Sequence, residues 1–540
     1  SVSVPTAGGS LTEGETGPAR FINPLLAISQ ADQDLTALVY SGLTREMPDG
    51  AIVPDLAQSY TVSGDGRTYT FHLRPNATFQ DGSKLTAADV LFTIQEAQDP
   101  NINSAQRANW TGVIVSSPNA QTVIFTLPHA YAPFIDDTTM GILPKSLWQN
   151  VAAEEFPFSP LNTHPIGSGP YKVDSVSTDS TGSAARYDLV PFGNFALGTP
   201  FLSHISFAFF ATQDDLVKAL KAGKIDAAAN LSPSDVNALS GQDLALAQVP
   251  LPRDFGVFFN QTHNPVLADA AVRSALQAAT NKQALVAQEF SGRAAILTGP
   301  IPPGVLGSTG PLSPTPLYPT SSSTAKIATN SAFSNNARGI LQNGGWTWNS
   351  ATSQWSKGKE TLGFTLATAD QPELVATAKA LAAQWQAAGI GVSVQVYPLA
   401  QLNTDVIRPR AYDALLFGEV VGPELDLYAF WHSSQRTDPG LNLAMYANSK
   451  TDALLSQARA TTDADARDAL YQTFATALVK DNPAVFLYAP DFLYVVPQTI
   501  HGIELGSLSA ASDRFENVYQ WYVDTKDVWQ ILAPAHPDNN

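Results

Sequence analysis

"YTFHLRPNATFQDGSKLTAADVLFTI", residues 69–94, places His72, Arg74, Asp81, Lys84 and Asp89 close together, a density that suits either a reaction centre or a piece of scaffold. Local chemistry decides for scaffold. Residues 69–73 alternate apolar and polar side chains, the period-2 signature of a half-buried strand, and Arg74-Pro75-Asn76 ends it. Asp81-Gly82 is a turn pair, because Asp can hydrogen-bond its own backbone and Gly accepts positive φ. Thr86 then precedes Asp89 at the spacing where a hydroxyl N-cap and an acidic N3 side chain satisfy the first helical amides. Val90, Leu91 and Ile94 form the expected buried stripe of that helix.

Outward from this stretch, the chain has 540 residues, more than one hydrophobic core usually organises, so at least two domains are expected. It is 44% hydrophobic and 14% charged with 36 Gly and 38 Pro, a folded and loop-rich composition. No apolar run approaches the ~18 residues of a membrane span. Thirty Lys and Arg against 48 Asp and Glu give a net charge of −18, which repels phosphate backbones and argues against nucleic acid as a partner. The absence of cysteine removes disulfides, thiolate metal sites, Cys nucleophiles and a lipidated N-terminal Cys. The opening SVSVPTAGGSLTEG has neither a basic n-region nor an apolar h-region, so any targeting segment is expected to have been removed already.

The run LRPNATFQDGSKLTAADVLFTI resembles the signature of the peptide/nickel-type extracellular solute-binding proteins of ABC transporters, family 5, which include dipeptide- and oligopeptide-binding proteins. Other segments extend the resemblance in the family's order. GGSLTEGETGPARFINPLL is similar to its first strand and "NP" turn, and YSGLTREMPDGAIVPDLAQSYTVSGDGRTYTF to the segment leading into the LR strand. PIGSGPYKV resembles a GTGPY element with Ser168 where Thr is usual, and DFGVFFNQTHNPVLADAAVRSALQAATNKQAL its interdomain crossing and following helix. The resemblance implies an α/β, two-lobed periplasmic-binding-protein fold (type II, cluster C-like) with an extra subdomain in the first lobe.

Local patterns agree with α/β lobes. Around residues 204–230, ISFAFF is a strand, Thr212 a cap, Leu216, Val217 and Leu220 a helical stripe, Gly223 a stop, and Ile225 the start of another strand. The same grammar returns in TLGFTLAT, then a helix with Asp370 and Glu373 as a capping box, Pro372 in its first turn, a face of Leu374, Ala378, Leu381 and Trp385, and a stop at Gly389. IGVSVQVYPL and YDALLFG are further strands, and such units imply parallel sheets. The predicted layout is a first lobe over 1–257 and 490–540 with a subdomain inserted near 40–165, and a second lobe over 258–489. The Pro-rich 299–319 segment is expected to be a loop of the second lobe.

Several catalytic patterns can be set aside. The eight histidines include no pair at a helical metal-binding spacing, so no metal site is expected. Ser323 and Lys326 fit S-x-x-K inside a Pro/Ser loop with no K-T-G element, and GSG at 167–169 lacks a nucleophile elbow. Carboxylate pairs such as Asp136-Asp137 leave open a secreted carboxylate-dependent hydrolase. A ligand sensor of the same fold without a transporter is the other alternative. No catalytic residue and no cofactor are expected.

The binding residues are sought near the carboxyl end of YDALLFG, where ligands of open α/β sheets sit. There Phe417, Tyr428, Trp431 and Tyr446 gather near Glu419, Glu424, Asp426 and Asn442. For Trp431 and Glu419 a pocket position and a core position are both open; Phe430 reads as core. Asn23, Tyr40 and Asn260 complete the expected ligand contacts, with Asn260 placed at a cleft floor. In peptide-binding members of the family an Asp just after this strand grips the ligand's α-ammonium group. This chain has GEVVGPELD there, offering Glu419, Glu424 or Asp426 instead. The resemblance implies the extracytoplasmic substrate-binding component of an ABC importer, binding a peptide or similar small solute between closing lobes. The expected partner is a membrane permease, the expected state a monomer. The expected location is the periplasm or the outer face of the cytoplasmic membrane, with anchoring through a segment before Ser1 left open.

Overall fold

The computed structural model describes residues 2–131, 133–306, 310–317, 330–421, 425–461 and 463–528. These form two compact units: Ser1–Val249 with Thr309–Pro319 and Phe492–Asn540, and Pro250–Ser308 with Thr320–Asp491.

In the first unit the strand Ser10–Thr16 lies between two parallel neighbours, His204–Phe210 and Ala227–Ala229, with Leu11 opposite Ile205 and Glu13 opposite Ala227. Two antiparallel strands, Ala184–Pro191 and Tyr171–Thr178, extend one edge. The sheet is therefore mixed, not purely parallel. The helix Gln213–Lys221 starts where Thr212 accepts the Asp215 N–H at 3.2 Å and ends before Gly223, whose φ of +65° only glycine adopts at little cost. A separate four-stranded antiparallel sheet over 57–126 contains the strand Thr68–Leu73. Its aromatic core brings Phe71, Trp110 and Phe134 around Phe125, with ring centroids 5.4–5.7 Å away.

The opening stretch is a joint in this unit. Asp81 accepts the Ser83 N–H at 2.9 Å, and Asp89 accepts the Thr86 N–H at 2.8 Å and the Lys145 N–H at 2.9 Å, so both carboxylates are spent on the backbone. On the helix Ala87–Gln98 the buried face is Val90, Phe92 and Ile94, with Phe92 in place of Leu91. Gln80 donates to the carbonyls of Val39 (3.0 Å), Gly169 (3.3 Å) and Tyr171 (2.8 Å), and accepts from Gly167 N–H at 3.1 Å. This stitches the NATFQDG loop to the end of the helix Gln30–Val39 and to the GSGPY element. A Cβ at Gly167 would lie 2.2 Å from the Val39 oxygen, which is why only glycine allows the approach.

In the second unit Gly363–Ala369 pairs in parallel with Gly391–Tyr397 and with Ala414–Val420. Arg253–Phe259 then pairs antiparallel with Ala414–Val420 and with the first half of the long strand Ala484–Pro497. The helix Pro372–Ala387 buries Leu374, Ala378, Leu381 and Trp385, the expected face. Its cap differs. Asp370 is still held by its N–H to the Tyr397 carbonyl at 2.9 Å, so Gln371 becomes the N-cap and makes no side-chain cap bond.

Two boundaries also differ from the predicted layout. The strand Arg253–Phe259 belongs wholly to the second unit, since its neighbours on both sides lie there. The Pro-rich segment is divided: 299–308 go with the second unit as expected, whereas 309–319 go with the first, where Thr315–Pro316 pairs with Ala245 and Leu246, and Leu312 bridges to Leu505. Ser323 and Lys326 lie outside the described residues.

Candidate functional site

In the second unit the antiparallel register sets Asp254 directly opposite Glu419, and directly opposed residues present their side chains on the same face of a sheet. Asp254 is fully buried and Glu419 is 4% exposed, and none of the four carboxyl oxygens has a hydrogen-bond partner. Burial, and for Glu419 also the neighbouring Asp254 charge, hold both groups well above the usual carboxylate range. Burial therefore disfavours two negative charges on this pair. Glycine precedes Glu419 because a Cβ at Gly418 would meet the Phe255 ring at 2.6 Å.

The aromatic residues expected to face a ligand divide. Trp431 is fully buried and packs on Phe258, Phe486 and Tyr446 with centroids at 6.0, 5.6 and 6.4 Å. It is a core residue, although its indole N–H has no acceptor. Phe417 and Phe430 are partly buried against the same core. Tyr446 donates to Asp481 at 2.7 Å, and burial pushes its hydroxyl up to about 12. Tyr428 is half-exposed, stacks on His432 with centroids 4.1 Å apart, and carries the Arg459 guanidinium over its face at 4.2 Å.

The expected asparagines are engaged by the protein itself. Asn442 donates to the carbonyls of Trp431, His432 and Tyr446 and accepts the Tyr446 N–H, leaving nothing for a ligand. Asn260 donates to the Arg410 carbonyl at 2.9 Å and accepts from Thr262. Asn23 joins Asn162 at 3.1 Å and accepts the Leu25 N–H. Each stabilises a turn. Of the acidic alternatives, Asp426 holds Arg459 at 2.5 Å, and Glu424 lies outside the described residues.

Tyr40, in the first unit, lines a half-open cavity of about 320 Å³ together with Arg45, Glu46, Asp55, Asp513 and Glu516. Its hydroxyl is buried and without a partner, and burial raises its pKa. Arg45 bonds Asp55 at 2.9 Å, leaving the other Asp55 oxygen unpartnered. Burial, then the neighbouring acids, pushes Glu46 up to about 8 and Glu516 well above its usual range. The sequence reading missed these acids and Asp254. An acid inside the apolar run RDFGVFF was a signal for Asp254; nothing local marked the others.

A profile of the bacterial extracellular solute-binding proteins, family 5, middle region, matches residues 51–441. The chain belongs to this family. Protein XP55 of Streptomyces lividans is 30% identical to this family 5 protein over 506 residues, spanning 92% of the chain and 86% of its own length. The oligopeptide-binding protein AppA of Bacillus subtilis is 26% identical over 516 residues, with 93% and 90% covered. Among solved structures, NikZ from Campylobacter jejuni in complex with Ni(L-His) superposes with a TM-score of 0.67 and 26% identity, over 95% of this chain and 99% of its own. Family 5 proteins are transport-binding proteins, and the two-lobed α/β class read from the sequence holds.

Proposed function

We propose that this family 5 protein is the extracytoplasmic substrate-binding component of an ABC importer and carries a peptide or peptide-like solute to a membrane permease. The alignment with an oligopeptide-binding protein over nine-tenths of both chains carries this reading. Asp254 and Glu419 form a carboxyl pair without a hydrogen-bond donor or salt-bridge partner, and an α-ammonium group reaching Glu419 supplies the missing cation.

The test is native mass spectrometry of freshly purified protein, with the released small molecule identified, followed by calorimetric titration of that class. A peptide recovered intact supports the reading; a metal chelate, a sugar or a cleaved peptide overturns it. Losing one side of a buried ion pair costs about 3–5 kcal/mol. Glu419→Gln is therefore expected to weaken free-amine peptides more than a hundredfold and N-acetylated ones hardly at all. Equal losses remove the ammonium role of Glu419 while leaving peptide binding intact.

A further inference from the structure

The cavity beside Tyr40 is built from a single unit and has an unusual charge balance. One guanidinium, Arg45, stands against four carboxyl groups, those of Glu46, Asp55, Asp513 and Glu516. Arg45 is already spent: it bonds Asp55 at 2.9 Å, the Glu516 carbonyl at 3.2 Å and Ser41 at 3.4 Å. Asp513 is also occupied, accepting the N–H groups of Ser509 and Ala510 at 2.7 and 2.8 Å. Glu46 and Glu516 also line the cavity, and among the described residues neither carboxylate has a salt-bridge partner. Two further wall residues each carry an unused polar atom, the Tyr40 hydroxyl and Asp55 Oδ1, although Tyr40 is only 4% exposed and Asp55 fully buried. A buried polar atom without a partner is costly and rare in native proteins.

We infer that this cavity is a binding site for a compact organic cation, an aliphatic ammonium or a guanidinium, held between the Glu46 and Glu516 carboxylates with Tyr40 and Asp55 as additional hydrogen-bonding groups. A metal ion fits less well, because among the described residues no three His, Asp or Glu side chains converge to hold one. An anion is repelled by the carboxyl excess. The volume, about 320 Å³, suits a group the size of a basic side chain. Ammonium and guanidinium donors form charge-assisted bonds with carboxylates, stronger than neutral ones.

Protonation offers a second readout. Burial, then Asp513 and Asp136, pushes Glu46 up to about 8; burial, Asp513, Glu46 and Asp49 raise Glu516, and Arg45 lowers it. A cation entering between them favours the ionised forms, so binding releases protons and tightens as pH rises from 6 to 9. The site does not depend on the peptide reading, since a free amine would fill it as a basic side chain would.

The test titrates the whole chain with agmatine, with its uncharged analogue N-butylacetamide, and with Ala-Arg-Ala against Ala-Ala-Ala, in buffers of different ionisation enthalpy. Agmatine is expected to bind with proton release, N-butylacetamide not at all, and Glu46→Gln/Glu516→Gln to weaken agmatine at least tenfold. Preference for Ala-Arg-Ala that the double variant abolishes assigns the site to a basic side chain of the solute. Agmatine binding without that preference assigns it to a free cation. Failure of the wild-type protein to distinguish agmatine from N-butylacetamide overturns the inference without any variant. Failure of both peptides alone counts against the importer reading and leaves the agmatine result to decide this one.

Discussion

Two buried acidic clusters in this protein have opposite solutions. In the first unit Arg514 is fully buried and bonds Asp34 in a two-pronged contact at 2.6 and 2.9 Å and Glu13 at 2.6 Å, while Tyr494 donates to the other Glu13 oxygen at 3.0 Å. In the second unit Asp254 and Glu419 are as deeply buried and have neither a cation nor a hydrogen-bond donor. Burial raises Glu13 in the first place and both acids in the second, so burial alone does not distinguish them. The distinction is whether a planar guanidinium can reach. Within the first cluster Glu15 makes the same point, for it stands 3.7 Å from Arg514, outside hydrogen-bond reach, and both its oxygens lack partners. One arginine serves two carboxylates well and leaves the third without a bond, where burial and then the Asp34 charge raise its pKa well above the usual carboxylate range.

The largest effect is expected where the cation is removed. Arg514→Met leaves Glu13, Glu15 and Asp34 buried without a counter-charge, and breaking such pairs costs about 3–5 kcal/mol. Arg514→Lys is expected to recover only part of that, because an ammonium cannot reproduce the guanidinium fork. Urea unfolding followed by tryptophan fluorescence measures both. If Lys restores full stability, the two-pronged geometry is unimportant and the contrast reduces to charge count.

The second contrast is in pH. Asp254 and Glu419 have folded pKa values above the unfolded ones, so above about pH 4 the native state holds more protons than the unfolded chain. Their contribution to stability is then largest at low pH and is lost as pH rises through the folded values. Asp254→Asn should flatten this part of the pH profile and raise stability at pH 8 by about 1 kcal/mol, since an amide can donate to Glu419. A variant whose profile is as steep as that of the wild type would show that the pair does not store the proton.

Glu15→Gln is expected to have a smaller effect. If Glu15 already holds its proton, an amide of the same shape replaces a neutral acid, and stability should change by less than about 1 kcal/mol. Asp34→Asn, which removes a bonded charge from Arg514, should cost several times more.

How much of this was visible in the sequence follows from how local each cause is. The strand and helix ends around residues 69–94 and 204–230 were legible because their caps and turns use neighbours in the chain. Gln80 was not, since its three carbonyl partners arrive from elsewhere in the fold. Asp370 was misread as a cap because its hydrogen bond to Tyr397 comes from an adjacent strand. The later half of the Pro-rich segment, 309–319, was grouped with the strand and helix that follow it, whereas its pairing partner is the earlier strand Leu244–Pro250. Asn260 was placed at a cleft floor by the chain crossing it follows, and Asn442 near the ligand by the aromatic residues around it; only the folded chain reveals that backbone groups have taken their amides. Asp254 and Glu419 become a pair only through strand register.

The smallest effect is expected at the surface. Asp426 and Arg459 meet at 2.5 Å, a distance as short as any in the Arg514 cluster, but the side chains remain 42% and 51% exposed. Water and salt screen such a pair, and the guanidinium keeps its contact over Tyr428 at 4.2 Å when the carboxylate is lost. Asp426→Asn should therefore cost about 0–1 kcal/mol at low salt and less at 1 M salt. Because its carboxylate already holds a cation, the same substitution should leave the affinity for free-amine peptides unchanged. A loss as large as that of Arg514→Met would show that bond length, and not exclusion of water, sets the strength of ion pairs in this protein.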